Sequence, residues 1–355
     1  MNKKLLPFFT MFFVLNSCAT YVDVKIQKPA SISLGNVRNV AVSDFNFTGN
    51  SSFTEVGDAP ISETLERIIE GQKVPKLNLK NAYSSKIISD KLITKLVDNG
   101  HYSVADRDEV YKVLEEQKLS LSGIINEKEA PEIGKLIGVG AFIIGSGKYF
   151  IKDKGGWYVR TNDKKIFKDV FYRIDRKVTV ELNYKIISVE NGQVIASKAI
   201  KKTKNLSAKG DDMESAFANI SWKSTVDKLV NNILDKVIKQ IAPYYSKTSR
   251  EIKTGNSHSM KTGLEYAKRK LWEDAKESWE SVLTDNSPNA RQDRIHAMYN
   301  LGVYNEINSE LDIAEEYFEK CFELSGKNEY LDARVRIQKR KKELKKLQEQ
   351  QQLND

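Results

Sequence analysis

Two cysteines and three histidines are the side chains through which this chain could do covalent or metal chemistry. Cys18 ends the run Leu15-Asn16-Ser17-Cys18, which matches the bacterial lipobox. In that motif the thiol is acylated and becomes the new N-terminus after cleavage before it. Ser17 has the small side chain the peptidase accepts, whereas Asn16 is larger than usual there. The alternative is an ordinary secretory signal with an incidental cysteine. Three acyl chains, each adding about 0.8 kcal/mol per buried CH₂, would hold essentially permanently, so Cys18 is expected to be an anchor to outer-membrane lipid and not a catalyst. Ala19, rather than an acidic retention residue, points to the outer membrane. Cys321 lies in so different a context that no disulfide is expected. His101, His258 and His296 have no companion at ligand spacing, which leaves no signal for zinc or haem. No G-x-S-x-G, Walker A or H-E-x-x-H run occurs, and Gly138-Val139-Gly140 lacks the third glycine of a phosphate loop. Neither an enzyme nor a cofactor is expected.

The elements that must carry these residues begin with Asn2-Lys3-Lys4 and the apolar run Leu5 to Leu15, too short for a span of about 20 residues and suited to a signal peptide over 1–17. The 355 residues, 40% hydrophobic and 30% charged, fit two or three globular domains and exclude collagen-like or wholly disordered chains. A net charge of +9 suits anionic lipid, peptidoglycan, lipopolysaccharide or nucleic acid equally, because charge reports a field and not a partner. Residues 18–35 read as an acylated tether. Val37 to Phe45 reads as a strand, 46–60 as a loop, 61–70 as a short helix and Ser84 to Asn99 as a helix capped by Gly100. His101 to Ala105 is a strand, Arg107 to Lys118 a helix, and Ile133 to Gly147 a short helix running into a strand at 141–144. Val178, Val180, Leu182, Tyr184 and Ile186 alternate on one face, and Asn191-Gly192 turns into a strand at 194–199. Asp211 to Ile241 reads as one helix stopped by Pro243, and 246–262 as a linker.

The last third repeats itself. Gly263, Tyr266, Ala275, Trp279 and Val282 fall on tetratricopeptide positions, and Gly302, Ala314, Phe318 and Cys321 fall on the same positions 39 residues later. A standard repeat is about 34 residues, so an insertion is expected around Asp285 to Gln292. Cys321 thereby takes a helix-packing position, a structural thiol. Tyr266, Trp279, Tyr304 and Phe318 would build the packing around a groove open to a protein partner. Two repeats, over 263–326, are few for a stable array and should pack on another part of the protein or a second subunit. The acidic helix Asp312-Glu315-Glu316-Glu319 reads as a solvated face. A basic helix and tail over 327–355, with Arg334, Arg336, Arg340 and Lys341, reads as a solvated cap or a surface for anions.

Three segments together resemble the CsgG family of lipoproteins: Val40-Ala41-Val42-Ser43-Asp44-Phe45, Tyr102 to Gly123 around Asp106-Arg107-Asp108, and Ile133 to Gly145. The resemblance covers 36 to about 245. The layout of lipobox, CsgG-like domain and tetratricopeptides is similar to that of abundant spirochaetal outer-membrane lipoproteins. It implies an α/β periplasmic domain with a mixed sheet and helices, followed by an all-α tetratricopeptide domain, in a homo-oligomer for which a ring is one form. For the curli exporter it further implies two membrane hairpins per subunit and a constriction loop, where Phe45, Phe47 and Phe53 lie; simple anchoring of a loop is the plainer reading of those rings. Physically, Asp106-Arg107 would start a helix, and Gly134 and Gly138 would let a helix sit close to the sheet and turn sharply. Of residues 147–177, 14 of 31 are charged, and between Ala199 and Asp211 there is no room for a second hairpin. Lipid-facing Lys or Arg costs about 2–4 kcal/mol at the midplane, which argues against a pore. The expected function is thus a non-enzymatic lipoprotein of the outer membrane, its globular part periplasmic or surface-exposed, that self-assembles and holds a protein partner, with no nucleic acid. The alternatives are a CsgG-type secretion channel and an envelope lipoprotein that binds a ligand such as haem.

Overall fold

In the computed structural model, residues 20–56, 77, 79, 85–116, 127–161 and 167–352 are described. The lipobox residues Leu15, Asn16, Ser17 and Cys18 and the expected helix at 61–70 lie outside them. The chain divides into two units, residues 29–244 with the last seven residues, and 1–28 with 245–348.

The first unit is built on a six-stranded sheet. β2 (Asn39–Val42) runs parallel to both β4 (Ser103–Val104) and β5 (Ala141–Thr161), and β5 is followed antiparallel by β6 (Phe167–Ser188) and β7 (Val194–Gly210). Beyond β2, β3 (Asn46–Glu55) continues along the same edge of β5, Asn46 opposite Ser146 and Glu55 opposite Gly155. The expected loop at 46–60 is therefore largely a strand. Its residues are polar, and it forms because β5 offers a free edge; Gly49 admits the Tyr149 ring, which a Cβ there would meet at 2.0 Å. The expected strand at 194–199 likewise runs on to Gly210, and in the region 147–177 residues 152–161 of β5 pair antiparallel with 167–177 of β6.

Strict alternation places Val178, Val180, Leu182, Tyr184 and Ile186 on the buried face, each at most 1% exposed, against α5 (Trp222–Ile241) and α1 (Ser85–Asn99). The opposite face is covered near β2 by α2 (Arg107–Glu116) and α3 (Ala130–Ile137), through Val110, Leu114 and Ile133 on Phe142, Ile144 and Ile187. Gly134 lies so near Val189 that a Cβ would come within 2.3 Å, and Gly138 turns out of α3 at φ 78°, both as the sequence implied.

The expected helix 211–241 is two helices, α4 (Met213–Ala218) and α5, capped by Asp212 and Ser221. The break has a cause 44 residues away: Arg176, 1% exposed, donates to the Ile220 carbonyl at 2.6 Å. The same guanidinium holds Asp153 in a bidentate pair at 2.8 and 2.7 Å.

In the second unit the expected tether and linker are a pair of strands. β1 (Thr20–Lys28) and β8 (Tyr244–Ile252) form a two-stranded sheet, with Val22, Val24 and Ile26 of β1 buried in alternation. Helices α6 (His258–Lys268), α7 (Trp272–Leu283), α8 (Arg291–Ile307), α9 (Leu311–Ser325) and α10 (Asn328–Gln352) follow. The expected insertion is a short loop with a 3₁₀ turn at Pro288–Ala290.

Candidate functional site

The structure brings the repeat residues together in two like sets. Gly263 of α6 faces Trp279 of α7, where a Cβ would lie 2.5 Å from the indole nitrogen; 39 residues on, Gly302 of α8 faces Phe318 of α9, where a Cβ would lie 2.7 Å from the ring. Ala275, Ala314, Trp279, Phe318 and Cys321 are fully buried and Val282 nearly so, while Tyr266 is half-buried against the same core. Burial pushes the Cys321 thiol up to about 12, and its Sγ lies 3.4 Å from the Ile295 carbonyl, so this cysteine packs and does not react. Tyr304 donates from its hydroxyl to Glu273 at 2.6 Å and ties α8 to α7.

Of the surfaces that could line the expected groove, one face of α8 is covered by the chain's own segment from Arg250 to Ser257. Asn300, fully buried, accepts from the Lys253 amide at 2.8 Å and donates to its carbonyl at 2.9 Å. His296 Nδ1 lies 2.6 Å from the Thr254 carbonyl, and Asp293 accepts from the amides of Asn256 and Ser257 at 2.7–3.1 Å. Glu306, its side chain 0% exposed, receives Arg250 at 2.6 Å and Arg336 of α10 at 3.0 Å. Burial alone would raise its pKa, but the Arg250 hydrogen bond and the two guanidinium charges hold it below the ordinary carboxylate range. The pattern is that of a helix recognising an extended backbone, and the backbone is its own.

The acidic and basic helices also find each other. Glu315 of α9 takes Lys341 at 2.6 Å and Arg334 at 3.0 Å, Asp312 takes Lys341 at 2.5 Å, and Arg340 donates to the Gln27 carbonyl at 2.6 Å. Lys341, first, then Arg334 and Gln338 bring the Glu315 carboxyl down to about 2. Each helix is thus a solvated face only in part: Glu315, Arg334, Arg340 and Lys341 are engaged, while Asp312, 91% exposed, and Glu316, Lys339, Lys342 and Lys345 face solvent.

In the α/β unit, Arg107 does more than start α2. It ion-pairs with Asp44 at the end of β2 and with Asp90 of α1, and donates to the Tyr111 hydroxyl at 2.8 Å; that hydroxyl donates to Asp44 at 2.7 Å. Asp106 accepts from the Asp108 amide at 2.7 Å and marks the helix start. Asp44, 3% exposed, has both oxygens satisfied, so the cluster locks β2, α1 and α2 together. Phe45 and Phe47 are buried in the sheet core, Phe45 over Gly145, and Phe53 packs 6.1 Å from Phe217, so all three anchor structure. Tyr111, Asp90, Asn300 and Glu306 escape sequence reading, since each gains its role from a partner far along the chain.

The motifs that close this cluster, the Ser-Asp-Phe after β2 and the Asp-Arg-Asp at α2, fall within a match to the family described as "Curli production assembly/transport component CsgG", which spans residues 27–268. The chain belongs to the CsgG family. A second match, to a domain of unknown function (DUF6340), spans residues 261–347 and takes in the helices of the second unit. No curated protein matches. Among solved structures, the chain is similar to the LpoB C-terminal domain from Salmonella enterica, with 14% identity over 47% of this chain and 83% of that one and a TM-score of 0.27. It is similar also to lipoprotein GNA1162 from Neisseria meningitidis (11%, 56% and 97%, TM-score 0.27) and to the PelC dodecamer from Paraburkholderia phytofirmans (13%, 63% and 99%, TM-score 0.22).

Proposed function

We propose that this CsgG-family chain is a non-enzymatic envelope lipoprotein, acyl-anchored through Cys18 at the outer membrane, that self-associates through its α/β unit and stands beside the bilayer. The observation that carries the reading is the polarity of the long antiparallel strand pair. On β5 and β6 one face, with Tyr149, Ile151, Tyr172 and Ile174, is buried beneath the chain's own helices. The other carries Lys148, Lys152, Lys154, Arg173 and Lys177, which a lipid-facing strand would have to desolvate. This favours a scaffold over a secretion channel. Among the described residues no helix is long and apolar enough to cross a membrane. The repeat of glycine and aromatic contacts supports tetratricopeptide-like packing in the second unit. Since the face of α8 is filled by residues 250–257, a protein partner would meet other surfaces of these helices.

Negative-stain imaging of the protein extracted in mild detergent tests the reading. Rings or compact particles without a detergent belt are expected; a belt around a stain-filled barrel overturns it. Labelling with palmitate tests the anchor independently, with Cys18→Ser expected to abolish the label.

A further inference from the structure

Among the described residues, one face of the sheet is helix-covered along its length, whereas the other is covered only near β2. Beyond α2 and α3, from Lys185 to Phe171 on β6, that second face is exposed across β3, β5, β6 and β7. Register fixes what it presents. One rung reads Thr48, Lys148, Glu181, Lys201; the next reads Asn50, Phe150, Thr179, Thr203; the next Ser52, Lys152, Lys177, Asn205; and the next Thr54, Lys154, Asp175, Ser207. Every outward position in these rungs is a hydroxyl, an amide, a charge or an aromatic ring, and no large aliphatic side chain is exposed there.

The charge is unbalanced. Glu181 is shared by Lys148 and Lys201 at 3.5 and 2.5 Å, and Asp175 is engaged by Arg173 at 2.9 Å. Lys152 and Lys177 lie directly opposite each other with no acid in their rung. Like charges so placed destabilise a sheet, so folding does not account for them. Above them lies a shallow depression of about 580 Å³ bordered by Lys152, Lys154, Lys177, Asn205 and Ser207, with Asp175, held by Arg173, at its edge. A second, of about 570 Å³, lies on the same face between Asn46, Ser146, Asn183, Ser197 and Lys185, whose ammonium pairs with Glu127 at the rim. At about 3.4 Å per residue, Asn183 and Lys177 are about 20 Å apart, so the two depressions form one track along the strands. Between them Phe150 presents its ring with Lys148 5.3 Å from the centroid; at the far end Tyr158 and Phe171 stack, with Lys209 4.5 Å from the Phe171 centroid.

We propose that this face binds an acidic polysaccharide laid along the strands. Lysines at successive rungs meet carboxylate or phosphate groups, Asn, Ser and Thr exchange hydrogen bonds with sugar hydroxyls, and the rings offer platforms to the C–H faces of the sugars. A bilayer surface would call for exposed aliphatic anchors, which the face lacks. A nucleic acid would call for stacking along the whole track, whereas among the described residues rings occur only at Phe150 and at the far end.

The test uses the full-length protein in mild detergent with polygalacturonate, its fully methyl-esterified neutral form, and single-stranded DNA, read by calorimetry or interferometry. Polygalacturonate is expected to bind in a salt-sensitive way and the ester not to bind. Lys152→Glu with Lys177→Glu is expected to weaken binding by about tenfold or more, and Lys204→Glu, on the edge strand β7 beside Val178 of the helix-covered face, by less than about twofold. The pair Lys152→Gln and Lys177→Gln, the gentler substitution, should also weaken binding with the thermal transition retained. Absent binding, equal binding of the ester, an equal loss with Lys204→Glu, or DNA bound as tightly with the same loss would each overturn the proposal.

Discussion

The two units dispose of their polar side chains in opposite directions. In the helical unit they point inward: Asn300, Asp293 and Glu306 sit on a helix buried on nearly every side and meet the backbone and arginines of the chain's own segment 250–257 and helix α10. On the open face of the α/β unit's sheet they point outward, across four strands, and Lys152 and Lys177 face each other, whereas that unit's buried Asp44, Asp153 and Arg176 are paired. A polar group that is buried and satisfied specifies how a chain closes on itself; one that is exposed and unbalanced adds nothing to closure. The helical face is thus a completed contact, and the sheet face one that still lacks its counterpart.

The strongest way to break this contrast is at Glu306. Glu306→Ala leaves Arg250 and Arg336 without their carboxylate, and a loss of about 3–5 kcal/mol is expected in denaturant unfolding of the helical unit, followed through Trp272 and Trp279. A loss below about 1 kcal/mol would mean that the arginines relax to solvent and that the segment is loosely held. The sheet has its own buried pair, Asp153 and Arg176, 3% and 1% exposed. Asp153→Asn should destabilise comparably, whereas replacing both partners by Leu and Met should recover most of the loss, because an apolar pair needs no charge solvation.

Next come the repeat glycines. Gly263→Ala and Gly302→Ala each push a methyl into an aromatic ring, at an expected cost of about 1–3 kcal/mol. Equal losses at the two sites would show that the contacts are equivalent, and a neutral result at either would break the repeat. These positions were legible in the sequence because helix packing repeats at a fixed interval. The alternation of Val178 to Ile186 was legible for the same kind of reason. Illegible were the features made by distant partners: β3, whose polar residues form a strand only along the edge of β5; the break at Asn219 to Ser221, set by Arg176; and the pairing of β1 with β8, some 220 residues apart. The alternation Val22, Val24, Ile26 was a signal for β1, masked by its charged and polar neighbours.

Acid gives a graded version of the comparison. Glu306 and Glu315 have pKa values lowered in the folded state, Glu315 to about 2 from an ordinary 4.5. Their contribution is full above about 4.5 and is lost as pH falls through the folded values, so the helical unit should weaken between pH 4.5 and 2. Glu306→Gln should flatten part of that dependence. A profile unchanged by Glu306→Gln would show that this carboxylate is not coupled to folding. Smaller still, Asn300→Ala removes two hydrogen bonds to Lys253, and an effect of about 1–2 kcal/mol is expected, visible first as faster amide exchange at Lys253 and its neighbours.

The smallest expected effect has the opposite sign and is the sharpest test of the contrast. Lys177→Gln removes one of two cations that face each other across β5 and β6 while leaving a polar, unbranched-stem side chain one atom shorter. If that rung serves folding, the substitution should destabilise; if it is held for something outside the chain, the protein should gain a few tenths of a kcal/mol, about the size of a relieved cross-strand repulsion. The gain should be largest at low ionic strength and fade near 1 M salt, where the screening length falls to about 3 Å. Thermal unfolding at two salt concentrations reads it. A loss of stability at low salt would mean that Lys177 supports the sheet, and the outward face would then be as self-sufficient as the helical one.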